Sequence, residues 1–241
     1  MAALPARGIA FARVNPRQAR EFARAVGVAA KTDRADARVL AEMGHGSAAR
    51  DRADQSCTAE PRRVLRRRRQ LARIRKAEKV RRHSAGQDEI IEDIEAMIDH
   101  LSARIDDLDR KISAHIAEDR RLRRQAELLT AVPGIGPVVL GTLLGELPEL
   151  GSLCRRRIAS LAGLAPHAHD SGKWRGARRI WGGRRKVREA LTIAALTASR
   201  RVPALQRMRE RLKAKAVLIA CARQLLVILN AMVRDAKSLT A

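Results

Sequence analysis

Apolar residues recur at steps of three and four along most of the chain. The longest such series runs through Ile90, Ile94, Ile98, Leu101, Ile105, Leu108, Ile112 and Ile116, within the acidic segment 88–119. That spacing lays one apolar seam along a helix and sustains it for about four heptads, which predicts a coiled coil or a long helical hairpin. Ahead of it, residues 62–82 carry only a weak stripe, through Val64 or Leu65, Leu71 or Ala72, Ile74 and Val80. Two arrangements fit equally. Either the seam joins copies of the chain, or segment 62–82 folds back on it.

Toward the N-terminus, residues 8–14 read as a short strand. Asn15-Pro16 then offers an N-cap and a proline at the first helical position. Ala19, Phe22, Ala23 and Val26 follow at helical spacing, up to Gly27. A second helix is predicted from Thr32, carrying Val39, Leu40 and Met43 before Gly44. Such a strand-helix-helix piece is too small to bury a core alone. Residues 45–60 are small and polar and read as a linker. Beyond the seam, helices are predicted over 126–131, 138–147, 155–164, 186–200 and 204–235, with a Gly, His and Arg-rich loop at 165–184. The resulting domain boundaries are 1–45, 46–125 and 126–241. Two apolar runs need testing as membrane spans. Residues 128–144 are broken by Pro133, Gly134, Gly136 and Pro137, and residues 216–233 carry Arg223, Gln224 and Asn230. Neither predicts a span, so no membrane partner is expected.

Composition sharpens this picture. Of 241 residues 46% are hydrophobic but only 2% aromatic, and there is no Tyr. The core must be Ala, Leu, Val and Ile, which favours a mainly α fold over a sandwich or barrel. Fifty Lys and Arg stand against 26 Asp and Glu, a net charge of +24. A chain this basic binds phosphate backbones. GC-rich coding would also raise Arg and Ala, but evenly, whereas here Arg clusters at 62–82 and 173–188. Cys57, Cys154 and Cys221 are isolated, with no Cys-x-x-Cys pair. That excludes a zinc ribbon and a disulfide scaffold, and free thiols fit the cytoplasm. The N-terminus lacks the layout of a signal peptide. The expected location is cytoplasmic, at the nucleoid.

Several motifs could carry chemistry. Pro133-Gly134-Ile135-Gly136-Pro137, between two apolar helices, resembles a helix-hairpin-helix turn. Its glycines allow a tight turn, and the next helix begins with free N–H groups that can hold a phosphate. A turn that binds nothing fits equally. Residues 167–188 bring Lys173, Arg175, Arg178, Arg179, Arg184, Arg185, Lys186 and Arg188 together, with Trp174 and Trp181 interleaved. Cations neutralise phosphates and indoles stack on unpaired bases, so nucleic-acid contact is the favoured reading over a solvated charge run. Asp170-Ser171-Gly172 sets a hydroxyl among these cations. It could attack a phosphodiester, although a Ser-Gly pair alone is usually a turn. His167 and His169 could be bases or ligands, although such a pair is more often neither. Asp33 and Asp36 stand three apart and could share Mg²⁺. Taken alone, Asp in a first turn more simply complements the helix dipole.

The order of these segments resembles a known family. VNPRQAREFARAVGVAAKTDRADARVLA is followed by the charged helical segment, then LLTAVPGIGPVVLGTLLGELPELG, then IASLAGLAPHAHDSGKWRGARRIWGGRRKVREAL, then CARQLLVILNAMVRD. Across nearly the whole chain this is similar to the transposases of the IS110 family of bacterial insertion sequences. The resemblance implies a RuvC-like (RNase H fold) domain with an Asp-Glu-Asp-Asp metal site, a coiled coil, and an all-α C-terminal domain with a catalytic serine. It implies DNA strand exchange through a covalent phosphoserine, guided by a bridge RNA. Asp33 and Asp36 match the last two acids, in KTDRADA, and would bind Mg²⁺. Ser171 matches the serine of the Ser-Gly motif. Gly134, Gly136, Lys173, Trp174, Arg175, Arg178, Arg179, Arg184, Arg185 and Arg188 are the expected nucleic-acid contacts.

One departure bears on the chemistry. In the family the first Asp and the Glu precede the KTDxxDA segment, but residues 1–14 contain neither acid. Residues 1–45 are therefore expected to be the C-terminal remnant of the RuvC-like domain. Two smaller departures are the lack of Tyr and Lys213-Ala214-Lys215 where Gly-Lys is common. Two functions follow as expectations: a homo-oligomeric transposase acting on DNA with a guide RNA, or a relic that binds DNA or RNA through 62–82 and 130–188 without cleaving.

Overall fold

Proline 16 opens the first helix, where a missing N–H costs nothing. The structure, a computed structural model, describes residues 16–28, 32–46, 59–167, 170–171, 174–176, 178–211 and 214–239. The expected strand at 8–14 lies outside these residues, as do 47–58 of the expected linker. The chain divides into two units, Met1–Cys57 and Thr58–Ala241.

In the first unit, α1 (Pro16–Ala25) and α2 (Asp33–Gly46) pack through buried Ala23 and Val39. Gly27, at φ +78, ends α1. Val28 N–H donates to Ala23 O and Gly27 N–H to Arg24 O, the paired closure of a Schellman turn. Thr32 caps α2, its hydroxyl oxygen accepting from Ala35 N–H at 3.3 Å. The helix runs two residues beyond Gly44, where it was expected to stop.

The second unit begins with a helical hairpin, α3 (Ala59–Ser84) and α4 (Asp88–Glu118), joined through residues 85–87. So short a link forces antiparallel neighbours. Of the two arrangements that the sequence left open, the basic helix therefore folds back on the acidic one. Leu71, Leu101 and Ile105 form its small buried cluster, with Ile94 and Ile112 buried further along the same α4 face. Polar rungs flank the seam. Arg82 Nε bonds Glu95 Oε1 at 2.6 Å, Arg75 Nη1 bonds Ser102 Oγ at 3.1 Å, and Arg68 Nε bonds Asp109 Oδ1 at 2.9 Å. Each rung lies seven residues back on α3 and seven forward on α4.

Asp119 ends α4 and caps α5 (Arg120–Thr130), accepting from Arg121 and Leu122 N–H. That cap starts α5 six residues before the expected 126. Then come α6 (Pro137–Glu146), α7 (Arg155–Leu161), α8 (Arg185–Arg201), α9 (Pro203–Arg211) and α10 (Ala214–Asp235). The single helix expected over 204–235 is thus two, α9 and α10, which pack on each other. Leu129, Leu143, Ile158, Leu191, Leu205 and Leu229 centre the core. By length and composition Val217–Asp235 could cross a membrane. In the fold it is the central packing helix, with Cys221, Leu225, Leu226 and Leu229 fully buried. Its buried Asn230 donates to Leu153 O at 2.8 Å and accepts from Gly151 N–H at 2.9 Å, which ties down the 147–154 turn.

The hairpin meets the core on α6. Gly141 and Gly145 leave room for Leu65, whose Cδ1 would lie 2.4 Å from a Cβ at Gly145. Around this contact Arg62 Nε donates to Gly145 O at 2.7 Å, and Arg69 Nη1 to Glu146 Oε1 at 2.6 Å. Burial works to raise the Glu146 carboxyl. The Arg69 hydrogen bond, with the charges of Lys186 and Arg69, outweighs it and holds the pKa below the ordinary glutamate value.

Candidate nucleic-acid interface

The segment after α7 is rich in Gly and Arg and has no apolar alternation, so it reads as a loop. The structure instead gives it two nested antiparallel pairs. β1 (Pro166–His167) pairs with β4 (Arg179–Ile180), and β2 (Asp170–Ser171) pairs with β3 (Trp174–Arg175). Ser171 stands opposite Trp174, and His167 opposite Arg179. Lys173 and His169 lie outside the described residues.

Glycines fix this ladder to the core. Gly163, Gly182 and Gly183 all have positive φ, at +70, +68 and +66. A Cβ on Gly183 would lie 2.2 Å from Gly163 N, so the two backbones touch in a way no other residue permits. Arg188 Nη1 bridges the same two segments, donating to Gly163 O at 3.2 Å and Gly182 O at 2.8 Å. Arg184 grips Glu149 with Nη1 and Nη2, each at 2.5 Å, and Nη1 also donates to Glu146 O at 2.8 Å. Arg184 and Arg188 thus have protein partners that charge alone did not foretell. Glu146 and Glu149 are neighbours of these arginines missed in the sequence. Their signal was available: they are the only acids between residues 128 and 169.

Other cations remain outward. Arg175, Arg178, Arg179 and Arg185 are exposed, with Arg185 also meeting Glu189 at 2.7 Å. Trp174 and Trp181 are 60% and 52% exposed. His167 lies against Trp181, ring centroids 5.1 Å apart and planes tilted by 51°.

The Pro-Gly-Ile-Gly-Pro turn joins α5 to α6. Gly134, at φ +96, would place a Cβ 2.5 Å from Ala194 O, so the turn is pressed onto α8. Val132 and Ile135 point into the core. Gly136 is the exposed N-cap of α6, followed by Pro137 at the first turn.

Asp33 and Asp36 lie in the first turn of α2, Asp33 exposed and Asp36 half-buried. Among the described residues no three His, Cys, Asp or Glu side chains gather where they could hold a metal. The two carboxylates alone do not make up the donor set of a Mg²⁺ site. Cys154 is an exposed thiol at the start of α7, lowered in pKa by the backbone N–H groups of Arg157 and Arg156, whereas burial raises that of Cys221.

Comparison with known proteins places the chain in a class. The model of the Transposase IS116/IS110/IS902 family matches residues 126–213, and a DEDD-type transposase model matches residues 1–85. The pilin gene-inverting protein of Moraxella bovis is 31% identical over 236 residues, covering 92% of this chain and 72% of that protein. The insertion element IS116 protein of Streptomyces clavuligerus is 34% identical over 147 residues, covering 58% and 36%. A probable family 20 transposase of Pseudomonas aeruginosa is 32% identical over 85 residues, covering 35% and 24%. The chain belongs to the IS110 family of transposases. Its family makes it a DNA recombinase, and the DEDD-type match points to a divalent metal.

Proposed function

We propose that this transposase exchanges DNA strands through Ser171. The observation that carries the reading is the placement of Ser171 on β2, inside a ladder with outward Arg175, Arg178 and Arg179, within the segment matched by the transposase model. Ser171 Oγ forms a bond to phosphorus while the bond to one deoxyribose oxygen breaks. The serine proton leaves to solvent and the departing oxygen takes one up, so the phosphodiester energy is kept in the phosphoserine for the second exchange. Neighbouring guanidiniums stabilise the extra negative charge on phosphorus in the transition state. The Moraxella relative, named for inverting a gene, supports strand exchange as the outcome.

The remaining parts fit around this step. Lys173, Trp174, Arg175, Arg178, Arg179 and Arg185 contact nucleic acid, and Gly136 opens a helix-hairpin-helix site for a backbone phosphate. Arg184 and Arg188 shape the ladder from within. Residues 1–45 correspond to a RuvC-like portion, 46–125 to a linker and charged helices, and 126–241 to the serine-bearing domain. Asp33 and Asp36 are the acids of KTDRADA, a bridge RNA guides the choice of DNA, and copies of the chain assemble into a multimer at the nucleoid, with the α3–α4 seam closed inside each copy. A second reading is binding without cleavage, in which the same exposed cations hold DNA or RNA.

A covalent trap separates the readings. End-labelled element DNA and guide RNA are incubated with the protein and denatured. An adduct that Ser171→Ala abolishes supports the nucleophile. Retained binding with no adduct from the wild type leaves the binding protein.

A further inference from the structure

An exposed indole costs free energy, because most of its surface is apolar. Both tryptophans of this chain bear that cost, while the buried core of the second unit holds no aromatic side chain among the described residues. Trp181 bears it on a fixed backbone. Before it, the β1–β4 pairing holds Ile180 opposite Pro166. After it, Gly182 and Gly183 are clasped to Gly163, and Arg188 bridges the clasp. His167 braces the ring from one side, leaving half of the side chain open to solvent. Arg178 and Arg179 stand exposed just ahead of it in the chain. A large ring, rigidly mounted and set among cations, is pre-organised for a flat partner whose linkage carries negative charge. Paired bases present no free face, whereas an unpaired base presents two.

We propose that Trp181, braced by His167, is a stacking platform for one unpaired nucleobase. The proposal rests on the nucleic-acid reading above and adds a preference within it. Ladder cations attract any phosphate backbone, but the indole rewards only a strand whose base has left its helix. That places distorted or single-stranded DNA, or an unpaired segment of RNA, at the ladder ahead of an intact duplex.

The chain has two Trp and no Tyr, so its fluorescence can be reduced to one ring. Trp174→Phe leaves Trp181 as the sole indole. This full-length variant is titrated with a blunt DNA duplex, the same duplex carrying a one-base bulge, its abasic counterpart, and an RNA hairpin with the same bulge. Quenching by bulged DNA or bulged RNA, absent with the abasic and blunt duplexes, is the expected result, and the quenching strand identifies the source of the base. Trp181→Ala should weaken bulged-strand binding about tenfold, the size of one stacked base at roughly 1–3 kcal/mol, and leave blunt-duplex binding within twofold. Trp181→Phe should recover part of the loss. Equal weakening for both duplexes, or binding of bulged strands without quenching, overturns the platform while leaving nucleic-acid binding intact. Failure of the wild-type protein to bind any of the four strands overturns the underlying reading as well.

Discussion

The hairpin and the core are both helical, yet they are held together by different means. The hairpin buries a cluster of only Leu71, Leu101 and Ile105, with a few more seam residues along its length. The core closes over a single large cluster of buried side chains drawn from six helices. Charge is divided just as sharply. Helix α3 carries twelve Lys and Arg against two Glu, and α4 carries ten acids against three Lys and Arg. The sign of each hairpin helix is set by its outward face, while the rungs and the Arg69–Glu146 pair use part of that charge internally. In the core, Arg184 and Arg188 are turned inward onto Glu149 and backbone carbonyls. An arginine's role is therefore fixed by what stands opposite it.

Truncating the same residue type in each region tests the contrast. Leu229→Ala in the core should cost about 4 kcal/mol, and Leu71→Ala in the hairpin nearer ~2 kcal/mol, because the thinner site can collapse or admit water. Urea melts read both, and equal losses would break the comparison. Gly183→Ala should fall between these two, at about 3 kcal/mol from the positive φ and the contact with Gly163. It should remove the ladder's influence on Trp181 emission while the hairpin keeps its helical signal.

Sub-global opening follows from the same difference. In low urea, helical circular dichroism should fall first through the hairpin, while the buried Cys221 stays closed to thiol reagents. Cys221 labelling that tracks the first loss of helix would show one cooperative unit. Acid should loosen the junction between the two regions. Glu146 has a lowered folded pKa, so its contribution is present above the ordinary glutamate range, near ~4.3, and is lost as pH falls from there through the folded value. Stability measured against pH should lose part of that acid limb in Glu146→Gln. The smallest effect belongs to the rung Arg68–Asp109, a partly buried pair at the edge of the seam. Its double-mutant coupling should be about 0.5–1 kcal/mol and decline in salt.

Most helices were legible because burial imposes a period that the sequence must obey. Proline 16, Gly27 and Thr32 marked ends where caps are chemical necessities. The break between α9 and α10 was hidden, since apolar residues continue on both sides of it. The ladder was hidden for the opposite reason: two-residue strands are too short to alternate. Within the candidate site, residue type identified the cations but not their partners. Glu149 lies 35 positions from Arg184 in the sequence, and no local pattern links them. The packing of His167 on Trp181 was hidden, because Trp181 follows the strand paired with that of His167 and no local pattern links the two.

The shared register of Arg82–Glu95, Arg75–Ser102 and Arg68–Asp109 has a metrical consequence. A slip of one residue breaks all three rungs together, so the hairpin's length can change only in paired steps of seven residues, each about 10 Å of helix. Removing residues 75–81 and 96–102 together takes out the middle rung and brings Arg82 and Glu95 into the next position, still in phase. Removing either block alone offsets the two helices by seven residues, so that at most one native rung stays paired. The hairpin is in this sense a graduated ruler, and the distance it spans is a quantity that paired deletions can reset one mark at a time.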